Sequence, residues 1–112
     1  MTAPRVIEAI DVATFPMRFR TVVRHASAVR RATENVVVTA RAANGVSGVG
    51  EGCPRSYVTG EFVASAAAFI GEVAPLVCNN VRRVDDLRSY VETSRERIDA
   101  APAAWCAVEL AV

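Results

Sequence analysis

From Gly48 to Glu61 the chain reads Gly-Val-Gly-Glu-Gly-Cys-Pro-Arg-Ser-Tyr-Val-Thr-Gly-Glu: a strand end, a tight loop and a helix start in one run. No other stretch restricts the backbone so strongly. Glycines at 48, 50 and 52 lack a Cβ, which lets this strand approach something closely. Pro54 has no N–H to donate, so strand pairing stops there. The Thr59-Gly60-Glu61 step then opens a helix.

Upstream of this run the pattern is that of strands. Over residues 5 to 17, Val6, Glu8, Ile10 and Val12 alternate with Ile7, Ala9, Asp11 and Ala13, which fits a sheet with one wetter face. Pro16 ends or bends this strand, and a polar, arginine-rich connection is expected from Arg18 to Thr33. A second strand is predicted over Glu34 to Ala43, centred on the β-branched run Val36-Val37-Val38-Thr39. Asn44-Gly45 predicts a type I′ hairpin turn, with both residues at positive φ, and Val46 to Glu51 returns as the third strand.

After Gly60 the period changes from two to that of a helix. Phe62, Ala66, Phe69 and Val73 share one helical face, and Pro75 should stop that helix. Cys78-Asn79-Asn80 marks a turn. Asp85 or Asp86 is placed to cap a second helix with Leu87, Tyr90, Val91, Ser94 and Ile98 on its apolar face. Pro102 suits the first turn of a third helix, Ala103 to Val112, which is apolar nearly all round and should be buried on several sides. Strands first and helices afterwards is the α+β order. The expected fold is a three-stranded antiparallel sheet followed by a helical bundle.

Composition narrows the chemistry. The 112 residues form one domain by size, well short of the roughly 250 of a (β/α)8 barrel. A formal net charge of +1 gives no field that favours nucleic acid or an anionic membrane. All 13 basic residues are arginine, so lysine bases, Schiff-base lysines and phosphate-loop lysines are excluded. Arginine stays protonated and grips carboxylates with a planar fork, so it suits substrate anchoring better than proton transfer. Cys53, Cys78 and Cys106 have no close pairing, and with the lone His25 they make too few ligands for zinc; reduced thiols in a cytoplasmic protein are expected. No secretion signal is visible, and no span is expected to cross a bilayer.

The order and spacing of these elements resemble the N-terminal capping domain of the mandelate racemase and muconate lactonizing enzyme branch of the enolase superfamily. The resemblance covers Arg5 to Val112, and the segment Ala-Pro-Ala-Ala-Trp-Cys-Ala-Val-Glu-Leu-Ala looks like the helix that leads from cap to barrel. It implies that residues 1-112 are such a cap, ending inside that helix, with the (β/α)8 barrel absent. It also implies a parent racemase, epimerase or cycloisomerase that abstracts a proton α to a carboxylate, with Mg2+ stabilising the enediolate. Metal ligands and acid/base groups would lie on the barrel, leaving no catalytic residue and no cofactor in this chain. Its partners would be that barrel and a small carboxylate substrate, with self-association left open.

By the same resemblance, the segments after Met17 and after Glu51 would cover the barrel mouth, exclude water and select the substrate's distal group. Arg18-Phe19-Arg20-Thr21-Val22-Val23-Arg24 is similar to the first such loop of the dipeptide epimerases. This implies that Phe19 packs on the substrate and Arg24 pairs with its carboxylate, while Tyr57 contributes an apolar contact from the second loop. The stretch from His25 to Thr33 departs from the family in being longer and rich in arginine. Plainer expectations stand beside these: His25 as a surface residue, Glu51 and Arg55 as a local ion pair, and Glu109 accepting from a neighbouring donor. The competing functional reading is a free-standing binding module that self-associates to cover Trp105, Val108, Leu110 and Val112.

Overall fold

The computed structural model describes residues 4–26 and 28–112, with His25 and Ala28 described by their backbone alone. The surface role expected of the His25 side chain therefore lies outside the described residues. Three antiparallel strands, β1 (Ile7–His25), β2 (Ala28–Ala42) and β3 (Ser47–Gly52), lie in the order β1-β2-β3. Five helical segments follow: α1 (Ser56–Thr59), α2 (Val63–Asn80), α3 (Val84–Thr93), α4 (Arg95–Asp99) and α5 (Pro102–Ala111). The α+β architecture is that expected from the sequence.

The connection expected from Arg18 to Thr33 is a correction. Those residues belong to β1 and β2, which continue past Pro16 as a two-stranded ribbon. Pro16 sits within β1 opposite Glu34, because β1 is an edge strand and a missing N–H can face outward there. Val22, Val23 and Val29 supply β propensity on the ribbon, which its arginines mask in a reading by polarity. Register slips between Arg18↔Ala32 and Val23↔Arg30, so residues 19–22 form a bulge opposite Arg31. Since β3 pairs only with residues 36–41 of β2, the ribbon projects beyond the three-stranded part. The molecule measures 55 × 30 × 19 Å.

The Asn44-Gly45 hairpin forms, but not as type I′. Gly45 alone takes positive φ (88°), and among the described residues no non-glycine does. Gly45 N–H donates to the Ala42 carbonyl at 3.0 Å, Ala42 N–H to Val46 at 2.7 Å, and Asn44 Oδ1 accepts from Val46 N–H at 3.0 Å. This is the longer hairpin form, in which only the glycine needs the left-handed region.

Val36 and Val38 of β2 meet Ala66, Phe69, Ile70, Val73 and Val77 of α2 and Ala104, Trp105 and Val108 of α5 in one core. Helix α2 does not stop before Pro75; it runs through it to Asn80. An interior proline costs about 3 kcal/mol. Burying Val77 and Cys78 beyond it stabilises by roughly 1.5–3 kcal/mol for a large side chain, enough to carry the helix across. That continuation corrects the expectation about membrane-length spans. With 18 residues and a mean hydropathy of 1.2, α2 is long and apolar enough for one by length and composition. Its buried face packs on the sheet and α5, as the core helix of a folded domain does.

The second predicted helix is broken at Ser94 (φ −114°, ψ 17°) into α3 and α4. Thr93 donates its hydroxyl back to the Ser89 carbonyl at 3.0 Å, a bond of the kind that bends helices. Neither Asp85 nor Asp86 is the capping residue of α3, which is Arg83. Asp86 instead reaches back from the first turn to accept from Arg82 N–H (2.9 Å) and Arg83 N–H (3.1 Å). In α5, Trp105 stacks on Tyr90 at 5.5 Å between ring centroids and donates Nε1–H to Glu109 at 2.7 Å. Thus Glu109 has the neighbouring donor expected of it. Trp105 and Val108 are buried within the chain, whereas Leu110 is 65% exposed.

Candidate functional site

Where β3 stops at Gly52, the edge of β2 from Asn35 back to Ala28 has no third strand beside it. Arg55 covers the near part of that edge. Its guanidinium donates to the carbonyls of Pro54 (2.8 Å) and Glu34 (3.4 Å), to Asn35 Oδ1 (3.0 Å) and to Thr33 Oγ1. Thr33 and Asn35, two apart on one face of β2, are both buried, and the Thr33 hydroxyl donates to Asn35 Oδ1 at 3.1 Å. Asn35 Nδ2 in turn donates to Glu51 at 3.2 Å. Glu51 and Arg55 are therefore joined through Asn35, not as the direct ion pair expected from the sequence.

At its far end the same loop is fastened to α5. Glu61, 4% exposed, accepts from Ala103 N–H (2.9 Å), Ala104 N–H (3.0 Å) and the Thr59 hydroxyl (2.8 Å). Two N–H groups at the start of α5, which have no partner inside the helix, are satisfied by a carboxylate at the favourable end of the helix dipole. Gly60, at φ 76°, makes the turn that sends Glu61 inward. Nothing local in the sequence announces this pairing, which spans more than forty residues.

Between these two fastenings stands Tyr57, 40% exposed, across from the ribbon. The Arg30 guanidinium lies over both the Phe19 ring (5.4 Å to its centroid) and the Tyr57 ring (5.8 Å). Phe19 is half-buried on the bulge, where Arg18, Phe19, Arg20, Thr21, Val22 and Arg31 line a shallow hollow of about 220 Å³. Two of the three residues singled out from the sequence, Phe19 and Tyr57, are thus brought together, with Arg30 as their common neighbour. Arg24 is exposed and pairs in register with Val29, while Val23 pairs with Arg30. Neighbouring residues of a strand point to opposite faces, so Arg24 lies on the face of the ribbon away from Arg30. The sequence reading missed Arg30; the only signal for it was the abundance of arginine between His25 and Thr33.

Among the described residues no three His, Cys, Asp or Glu side chains are placed to hold a metal ion. The residues present do not fit the Mg2+ implied for the parent enzyme, and none of the roles below runs through it.

No family model and no curated relative matches the chain. Solved structures do. A dipeptide epimerase from Methylococcus capsulatus, complexed with Mg and the dipeptide L-Arg-D-Lys, is 28% identical with a TM-score of 0.75 over 94% of this chain and 29% of its own. A mandelate racemase/muconate lactonizing protein from Herpetosiphon aurantiacus is 25% identical with a TM-score of 0.80 over 98% of this chain and 30% of its own. The chain has the capping-domain fold of the mandelate racemase/muconate lactonizing enzyme branch of the enolase superfamily. The L-Ala-D/L-Glu epimerase from Bacillus subtilis, at 20% identity, shares this capping fold with a TM-score of 0.79 over 99% of this chain and 30% of its own. The chain spans about 30% of the length of these structures. In this fold the ribbon and the loop from Cys53 to Gly60 hold the segments that follow Met17 and Glu51.

Proposed function

We propose that this chain is the specificity cap of an enzyme that abstracts a proton α to a carboxylate. The observation that carries the reading is its likeness, over more than nine-tenths of its length, to enzymes about three times as long. In this reading the ribbon and the Cys53–Gly60 loop close over the mouth of a (β/α)8 barrel. Phe19 and Tyr57 form apolar walls, and an arginine of the ribbon, Arg24 by resemblance, meets the substrate's distal carboxylate. Fastening the loop at both ends, through Arg55 and Glu61, supports such a role, because a lip selects by shape only if it holds its own. The proton transfer itself, and the Mg2+ that goes with it, belong to the barrel.

Two apolar hollows flank α5. One is lined by Leu87, Val91 and Glu109, the other by Ile7, Val81 and Val112, and both share Val84 and Leu87. With exposed Leu110 they support a further domain docking at this end. Three unbridged cysteines suit a reducing compartment, so a cytoplasmic location is part of the same proposal. Self-association through α5 is the second reading and is favoured by the exposure of Leu110. It has less to cover than the sequence suggested, since Trp105 and Val108 are already buried.

The test is exchange of the α-proton in deuterated water, followed by proton NMR, with the full protein and a panel of amino-acid, dipeptide and hydroxy-acid carboxylates. Exchange on one class, with a raised KM in Tyr57→Ala, is expected. Absence of exchange across the panel would remove the capping reading. A concentration-dependent dimer in sedimentation, without exchange, would favour self-association.

A further inference from the structure

We propose that the ribbon and the loop of residues 53–60 form one rigid cover seated on the first turn of α5, with Glu61 as the residue that positions it. This rests on the capping reading and adds that the two covering segments are set together, from a residue outside the ribbon.

Both ends of the loop meet the same turn of α5. At one end, Gly52 lies so close to Ala103 that a β-carbon there would collide with its carbonyl oxygen. At the other, the buried Glu61 carboxylate accepts from Ala103 N–H (2.9 Å) and Ala104 N–H (3.0 Å). The loop between them has little core of its own, since all four residues of α1 are exposed. Thr59 donates its hydroxyl to Glu61 at 2.8 Å, and Gly60, at φ 76°, completes the turn. The place of the loop is therefore set by α5.

The ribbon in turn takes its place from the loop. β3 pairs with β2 only as far as Val36. Beyond it, two arginines cross between ribbon and loop in opposite directions. Arg55 reaches from the loop to Asn35 Oδ1 (3.0 Å), Thr33 Oγ1 and the Glu34 carbonyl (3.4 Å). Arg30 reaches from β2 over Tyr57 of the loop (5.8 Å) and over Phe19 of β1 (5.4 Å). Thr33 and Asn35 are buried, so a shift of the loop alone would leave them without one of their partners. A contiguous set of hydrogen bonds and ring contacts thus runs from the start of α5, through Glu61 and Arg55, to the ribbon.

The experiment is amide hydrogen exchange in the full protein, read by mass spectrometry on overlapping peptides. It compares the wild type, Glu61→Ala, Arg55→Ala and the double variant. Glu61→Ala should speed exchange in residues 29–35 by about tenfold or more, although its hydrogen bonds go to Thr59, Ala103 and Ala104. Residues 36–40, held by β3, should keep their rates. In the double variant the acceleration should fall well short of the product of the two single effects, since both act on one path. Glu61→Gln keeps one acceptor oxygen and should fall between, which serves where Glu61→Ala does not fold. Acceleration confined to residues 53–60 and α5, equal acceleration at residues 36–40, or single effects that simply multiply would overturn the proposal.

Positioning has a kinetic signature as well. With a carboxylate whose α-proton the wild type exchanges, Glu61→Gln should raise KM by about threefold or more and leave kcat unchanged. A lower kcat at unchanged KM would count against the proposal. Failure of the capping reading shows differently, as no exchange by the wild type on any carboxylate. The amide rates at residues 29–35 then still decide whether ribbon and loop are one unit, because they need no substrate.

Discussion

The carbonyl oxygen of Ala107 occupies the space where a β-carbon on Gly50 would stand, 2.0 Å away. The same holds along the strand, with Gly48 against Ala111 at 2.0 Å and Gly52 against Ala103 at 2.3 Å. Alternate residues of β3 thus meet successive turns of α5, four residues apart, backbone to backbone. The three glycines are there because α5 lies directly on the strand. This contact sets the height at which the covering loop leaves β3.

Gly50→Ala should therefore destabilise the fold by about 3 kcal/mol or more, since neither a helix carbonyl nor a paired strand can yield locally. Gly71→Ala is the contrast: nothing lies within 4 Å of its added carbon, and it sits inside α2. There the helix should gain about 0.5–1 kcal/mol. Urea unfolding of both variants checks the pair, and a Gly50→Ala protein as stable as the parent would refute the close-packed strand.

Arg55→Ala should cost about 1–3 kcal/mol, because Thr33 and Asn35 stay buried without one of their partners. The loss should be local first. Amides of residues 28–35 should exchange with solvent faster than those of Val36–Ala40, which keep β3 beside them. Uniform acceleration along β2 would mean that Arg55 does not fasten the ribbon.

Glu61→Ala should remove about 2 kcal/mol or more by leaving the Ala103 and Ala104 N–H groups and the Thr59 hydroxyl without their acceptor. Glu61→Gln retains one acceptor oxygen and should lose less. Thermal unfolding that ranks the two variants in the opposite order would contradict the capping role of the carboxylate.

Burial pushes the Cys78 thiol above its ordinary 9.0, and the positive charge of Arg5 opposes this only in part. Folding therefore disfavours the thiolate. Above the unfolded thiol's pKa the unfolded chain sheds a proton that the folded one keeps, so stability should fall as pH rises past 9.0. Cys78→Ala should flatten this alkaline slope, as measured by urea midpoints at pH 7 and near pH 10. Cys53 and Cys106, both exposed, should be alkylated by iodoacetamide well before Cys78.

Much of the fold was legible because its signals are local. The Val36–Thr39 run, the Asn44-Gly45 turn and the helical spacing of Ala66, Phe69 and Val73 all lie within a few residues, and each marks a real element. The ribbon was not legible. Its arginines read as a solvated connection, and only cross-strand pairing of Val23 with Arg30 and Met17 with Thr33 turns it into strand. Pro75 misled for the same reason, since the burial that outweighs it comes from the sheet and α5 and not from α2 itself.

By itself the sequence determined the α+β order, the need for a close approach at Gly48, Gly50 and Gly52, and the exclusion of lysine chemistry, because these follow from residue type and short-range period. What approaches those glycines, which donors Glu61 and Asn35 satisfy, and that Arg30 joins Phe19 to Tyr57 were decided only by the tertiary structure. Each of these pairs residues far apart in the chain, and burial of a polar group or approach of two backbones has no meaning until the chain has folded back on itself.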